Sequence, residues 1–126
     1  EPKFFPSRSL LPSLAIISAK LLNYENVMEI AHKIMEGLWI KQLDIDDEKT
    51  LKTIISKLIP TAEELIDFSK QEIVKNEIKI NTEKALKSLV FGAPTYIMDN
   101  QVFWGQDRLD FVERYVKRKN RNAKTV

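Results

Sequence analysis

The chain has 126 residues, 44% hydrophobic and 30% charged, a balance that suits one folded domain and excludes a disordered polymer. Its net charge of +2 gives no strong electrostatic case for nucleic acid or membrane, and neither partner is expected. With no cysteine, these residues can hold no disulfide, thiolate metal site or Cys-x-x-Cys pair, and the expected location is the cytoplasm.

The sequence opens on Glu1-Pro2-Lys3-Phe4-Phe5-Pro6, without an initiator Met or signal-peptide pattern, and reads as a segment cut from something longer. Residues 1–8 are expected to be an extended lead-in. Ser7 or Ser9 can cap a first helix reaching about residue 22, with Pro12 tolerated in its first turn. Its apolar content is too dense for a surface helix, so most of it should be buried. A second helix follows Asn23 to about residue 43. Val27, Ile30, Ala31, Ile34, Met35 and Leu38 recur at helical spacing, and Gly37 implies close packing, since it costs roughly 1 kcal/mol against Ala.

Asp44, Asp46 and Asp47 form a polar break, and an Asp here should cap a third helix with Leu51, Ile54, Ile55 and Leu58 inward. Pro60 ends it. Thr61 followed by Glu64 has the capping-box pattern for a short fourth helix. A longer fifth helix follows Gln71 to about residue 90, carrying Ile73, Val74, Ile78, Ala85, Leu86 and Leu89. Thr95-Tyr96-Ile97-Met98 and Val102-Phe103-Trp104 read as two strands joined by an Asp99-Asn100 turn. Gly105 breaks the second strand, and Asp107 can cap a last helix with Leu109, Phe111, Val112 and Val116 inward. The basic tail Lys117, Arg118, Lys119, Arg121 and Lys124 suits a solvated helix end. The expected organisation is a lead-in (1–8), a helical domain (9–90) and a strand-strand-helix unit (91–126).

Three places could carry chemistry. Ala93-Pro94 precedes a strand. A cis bond there would leave the Ala93 N–H and C=O free to pair with an extended ligand, and a trans proline would merely start the strand; the residues leave both readings open. Gly105-Gln106-Asp107 lies at a strand-to-helix junction that favours anions. Gln106 and Asp107 could hold an α-amino acid end, or Asp107 could be a simple cap. His32, the one histidine, stands alone among apolar positions and reads as structural. The acidic break lacks the Gly and spacing of a calcium loop, so no metal ligand is assigned. Trp39 and Trp104 read as core anchors. There is no Gly-rich phosphate loop and no Ser-His-Asp order.

Phe91-Gly92-Ala93-Pro94-Thr95, followed by Phe103-Trp104-Gly105-Gln106-Asp107-Arg108-Leu109, resembles the bacterial 2-hydroxychromene-2-carboxylate isomerases, relatives of kappa-class glutathione transferases in the Dsb-type thioredoxin superfamily. Phe5-Pro6 to Ser9-Leu10-Leu11, the stretch through Leu38-Trp39 to Asp44-Ile45, and Asn81-Thr82-Glu83-Lys84-Ala85 are similar to that family too. The resemblance implies an α/β thioredoxin-like fold, here incomplete, with a mostly α-helical insert before the hairpin and final helix. It implies glutathione as cofactor, with Pro94 as a cis-proline, Ala93 pairing with the cysteinyl part, and Gln106 and Asp107 holding the γ-glutamyl end. The family's catalytic serine lies near its N-terminus, in a part with no counterpart here. Ser7, Ser9 and Ser13 do not occupy its position, so no catalytic residue is assigned.

The expected function is therefore the C-terminal portion of a glutathione-dependent isomerase acting on a small aromatic-type substrate, inactive alone and completed in a homo-oligomer or by another chain. The alternatives are a Dsb-type disulfide oxidoreductase fragment, whose Cys pair lies outside these residues, and a non-catalytic helical interaction module.

Overall fold

The computed structural model describes residues 1–123 and forms two compact units, Glu1–Ile80 and Asn81–Val126. Lys124 of the basic tail lies outside the described residues. The division falls inside a helix, earlier than residue 90, where helical sequence gives way to strand.

The first unit is helical: α1 (Leu10–Leu21), α2 (Val27–Trp39), α3 (Glu48–Ile55), α4 (Ala62–Ser69) and the start of α5 (Glu72–Lys87). α1 packs on α2 and α4, and α3 packs on the same two helices. Their shared core holds Ala15, Ala19, Ile30, Ile34, Leu51, Ile55, Leu65 and Ile66, all nearly inaccessible to solvent. The buried face of α2 is Ile30, Ile34, Gly37 and Leu38. Met35 follows Ile34 directly, and a turn of about 100° per residue carries it off that face to 54% exposure, against expectation. A Cβ on Gly37 would stand 2.8 Å from Ile54 Cδ1, so this glycine admits α3 closely.

Local chemistry sets the helix ends. The Asp47 carboxylate accepts from the Thr50 N–H and hydroxyl, both at 2.8 Å, and caps α3 as expected. Thr61 does not cap α4. Its hydroxyl is engaged instead with the Tyr24 hydroxyl at 2.6 Å, a tie from the α1–α2 loop. Ser9 occupies the cap position of α1 in the left-handed region, φ 52°, without a side-chain cap bond. Its N–H donates to Ser7 Oγ, and Ser7 Oγ donates to Asp46 Oδ2 at 2.9 Å. α2 stops at Trp39 because Gln42 turns left-handed, φ 52°, and Leu43 N–H bonds back to the Gly37 carbonyl. The lead-in is not fully extended: Phe5 N–H closes a turn on the Pro2 carbonyl at 3.1 Å, and the Phe5–Pro6 peptide bond is cis.

The second unit holds the end of α5, strands β1 (Thr95–Met98) and β2 (Gln101–Trp104), a single 3-10 turn (Gln106–Arg108) and α6 (Leu109–Ala123). The strands pair antiparallel, Thr95 opposite Trp104 and Met98 opposite Gln101. Asp99 and Asn100 both take positive φ, 47° and 63°, the backbone that a tight two-residue hairpin requires. Tyr115 donates to Asp99 Oδ2 at 3.0 Å, and Lys119 pairs with the same oxygen, pinning α6 to the hairpin turn. The Lys119 ammonium and the Tyr115 hydroxyl hold the Asp99 carboxyl below its ordinary range.

No described side chain of this unit is buried. Leu109, Phe111 and Val116, expected inward, are 49%, 49% and 40% exposed; Leu86 of α5 is exposed as well, as is Leu89, which lies beyond the helix end with φ 57°. Two four-residue strands offer too small a face to bury them. Trp104 and Trp39, expected as core anchors, are half exposed and lean instead on Phe91 (ring centroids 4.8 Å) and Phe5 (5.1 Å).

Burial thus predicts an asymmetric response to truncation. Leu65→Ala, at a site with 0% exposure, should cost about 2–5 kcal/mol in urea unfolding, and Leu86→Ala should stay within about 0.5 kcal/mol. In the first unit, Lys33 and Lys41 each approach Glu36 to 2.7 Å and lower its carboxyl pKa from 4.5 to about 2. A carboxyl depressed in the folded state stabilises fully above its unfolded pKa and loses that contribution as pH falls through the folded value. The melting-temperature gap between the native chain and Glu36→Gln should therefore be present at neutral pH and shrink between pH 4.5 and about 2.

Candidate functional site

β1 begins one residue after Pro94, and β2 ends one residue before Gly105. Both ends of the hairpin therefore emerge side by side. Gly105 N–H donates to the Pro94 carbonyl at 2.9 Å, beyond the last ladder pair, and holds the two segments together. Gly105 has φ 106°, a conformation open to glycine alone at low cost, and a Cβ there would meet Asp107 Oδ1 at 2.5 Å. The chain then enters the 3-10 turn, so Gln106 and Asp107 lie across from Ala93 and Pro94. The Ala93–Pro94 peptide bond is cis.

These four residues, with Trp104, Gly105 and Arg108, line one hollow of about 550 Å³. All four site residues read from the sequence are thus brought together. Among the described residues, the Ala93 N–H and C=O have no hydrogen-bond partner, and neither does the Gln106 carboxamide. Asp107 forms no cap bond, against the simpler expectation. Its one partner is the Arg108 guanidinium at 3.6 Å, its side chain is 70% exposed, and it folds back over Gly105. The hollow therefore offers an unpaired backbone donor and acceptor on one side. On the other it offers a free amide, a carboxylate and a guanidinium. A ligand with a peptide-like segment and a zwitterionic end could use all of them.

Two lining residues stood in the motif read from the sequence but were not assigned to the site. Arg108 follows Gln106-Asp107 directly, and its adjacency was the available signal. Trp104 walls the hollow because Gly92 admits it: a Cβ on Gly92 would stand 2.5 Å from the indole Nε1. His32 is exposed on α2. Asp44, Asp46 and Asp47 accept from Asp46 N–H, from Ser7 and Arg8 N–H, and from Thr50, as loop and cap carboxylates do. Among the described residues no cluster of three or more His, Cys, Asp or Glu side chains could hold a metal. No helix among them is long and apolar enough to cross a membrane.

Comparison with known proteins places the chain. A 2-hydroxychromene-2-carboxylate isomerase from Sphingobium xenophagum is 33% identical over 79 residues, 63% of this chain and 40% of that protein. The aligned part is thus less than half the length of that curated relative. No solved structure matches significantly. The family described as DSBA-like thioredoxin domain matches residues 12–117, from the first turn of α1 to the middle of α6. On that match, which takes in the helices, the hairpin and the whole Ala93–Arg108 hollow, the chain belongs to the DsbA-like thioredoxin domain family.

Proposed function

We propose that this chain supplies the glutathione-holding part of a 2-hydroxychromene-2-carboxylate isomerase-like, kappa-class glutathione transferase-like protein of the cytoplasm. The observation that carries the reading is the convergence of Ala93, Pro94, Gln106 and Asp107 on one hollow, with the Ala93 backbone and the Gln106 carboxamide unpaired among the described residues. Ala93 N–H and C=O pair with the cysteinyl backbone of the tripeptide. The Asp107 carboxylate receives the γ-glutamyl ammonium, and the Gln106 amide donates to the adjoining carboxylate. Trp104 and the bent Gly105 fix the depth to which the peptide enters. Glutathione, when bound, supplies the thiol that adds reversibly to the substrate double bond and so permits cis–trans rotation about it. No residue of this chain is assigned a catalytic role, and the chain alone is expected to be inactive. With no cysteine among its residues, nothing in it favours dithiol exchange over this reading.

Calorimetry tests the assignment. Glutathione affinity should fall at least about tenfold in Asp107→Ala, the loss expected for one charge-assisted hydrogen bond. An unchanged affinity would remove Asp107 from the site and the γ-glutamyl reading with it.

The reading extends to a second copy of the chain. Leu86, Leu89 and Phe91 are 66%, 79% and 74% exposed, and apolar side chains of this size are available to a partner surface. A second copy covering them gives a homo-oligomer, so light scattering should return at least twice the 14.7 kDa chain mass. A monodisperse monomer refutes it.

A further inference from the structure

Three cations of α6 and the turn before it have carboxylate partners: Arg108 has Asp107, Lys117 has Glu113, and Lys119 has Asp99. Arg114 and Arg118 are different. Among the described residues neither guanidinium has a carboxylate within 4.0 Å, although Asp110 and Glu113 lie on the same helix. They stand one helical turn apart, where like charges repel. Two positive charges are thus set side by side without compensation.

Both line a hollow of about 570 Å³ whose other walls are Gln101, Phe103, Phe111 and Tyr115, with no acidic side chain among them. The aromatic walls are held in place by their neighbours. Phe103 and Tyr115 meet edge to face, ring centroids 5.8 Å apart, and the Tyr115 hydroxyl donates to Asp99. The Arg114 guanidinium lies 5.5 Å over the Phe111 ring, which fixes where that charge stands. Gln101 is exposed, and among the described residues its carboxamide has no partner.

We propose that this hollow is a nucleotide site, which takes a nucleoside monophosphate by its phosphate and its base. The charge count selects the phosphate. A phosphate monoester carries about −1.5 to −2 at neutral pH and offers three strong acceptor oxygens. It can therefore neutralise both guanidinia, each through paired N–H donors, whereas a group with one negative charge leaves one cation in excess. The rest of the lining selects what the phosphate carries. Inorganic phosphate leaves the aromatic wall unused, and a base lies flat against Phe103 and Phe111, a contact that any base can make. The Gln101 carboxamide donates and accepts at once, which matches the paired donor and acceptor on the edge of adenine. The volume is that of a small-molecule pocket.

The test is an NMR titration of the full chain, without glutathione. The probes are adenosine 5′-monophosphate, adenosine, inorganic phosphate, 2-naphthoate and the dinucleotide adenylyl-adenosine, whose bridging phosphate has a single charge. The proposal expects saturable binding of the monophosphate that shifts the Gln101, Phe103 and Arg114 amides, with each other probe at least about tenfold weaker. Arg114→Ala with Arg118→Ala should weaken the monophosphate at least about tenfold. Arg118→Ala alone should weaken it too and leave the remaining amide spectrum in place, since among the described residues Arg118 is not laid on a ring. Arg118→Lys keeps the charge and loses the planar fork, so it should fall between the native chain and Arg118→Ala. Undiminished binding in the double Ala variant, any other probe binding as tightly as the monophosphate, or shifts confined to Ala93–Asp107 would each overturn the proposal. Because glutathione is absent throughout, none of these outcomes depends on the reading of the other hollow.

Discussion

Gly105 N–H and the Pro94 carbonyl meet at 2.9 Å just outside the hairpin ladder, and the geometry of the C-terminal unit follows from that bond. It fixes where β2 stops and which way the chain leaves it. A side chain at Gly105 would collide with Asp107, so the positive φ and the folded-back carboxylate depend on each other. Because the bond ties the residue after the cis peptide to the residue before the 3-10 turn, Ala93 and Asp107 are brought face to face by backbone alone. The site therefore does not rely on side-chain packing for its position. That matters in a unit whose described side chains are never fully buried.

The two units are held by different physics. The first rests on apolar burial around Ile30, Leu51, Ile55 and Leu65, with its buried Ser18 and Ser69 hydroxyls satisfied by the carbonyls of Leu14 and Ile66. The second rests on pairwise contacts at half exposure: Phe91 on Trp104, Phe103 on Tyr115, and Asp99 with Tyr115 and Lys119. Exposed ion pairs contribute little and weaken with salt, and an isolated hairpin is marginal in water. Local opening should therefore begin in the hairpin and α6 and leave the helical unit intact.

Much of this was legible in the sequence where the governing interaction is local. The acidic break of Asp44, Asp46 and Asp47 announced an Asp cap on α3, Asp99-Asn100 announced the turn, and Gly37 announced a close approach; each needs only near neighbours in the chain. The reading failed where a distant partner competes. Thr61 and Glu64 have a sound capping-box spacing, but the Thr61 hydroxyl meets Tyr24, 37 positions away. Ser7 could not be read as a link to Asp46, 39 positions away, for the same reason. The inward assignment of Phe111 and Val116 came from periodicity, which marks an apolar face but does not say whether anything covers it. The candidate site fell between these cases. Its residue types were visible, and the family resemblance grouped them, but the strand register that sets Thr95 opposite Trp104, with the Gly105–Pro94 bond beyond it, makes the four residues neighbours.

Charge is divided unevenly between the units, and the division bears on what each can bind. Residues 1–80 carry eleven Lys and Arg against thirteen Asp and Glu, and residues 81–126 carry nine against five. The modest net charge of the whole chain thus hides a basic C-terminal unit. Lys119 and Lys117 of this unit are paired with Asp99 and Glu113, whereas Arg114 and Arg118 have no carboxylate within 4.0 Å among the described residues. Asp107 and Arg108, by contrast, set one charge of each sign beside the unpaired Ala93 backbone, a pattern matched to a zwitterion rather than to a simple anion. A DsbA-like domain with no cysteine in these residues has no thiol of its own to offer here. Under the proposed function the thiol enters with the ligand. On that proposal the hollow needs no redox pair beside it.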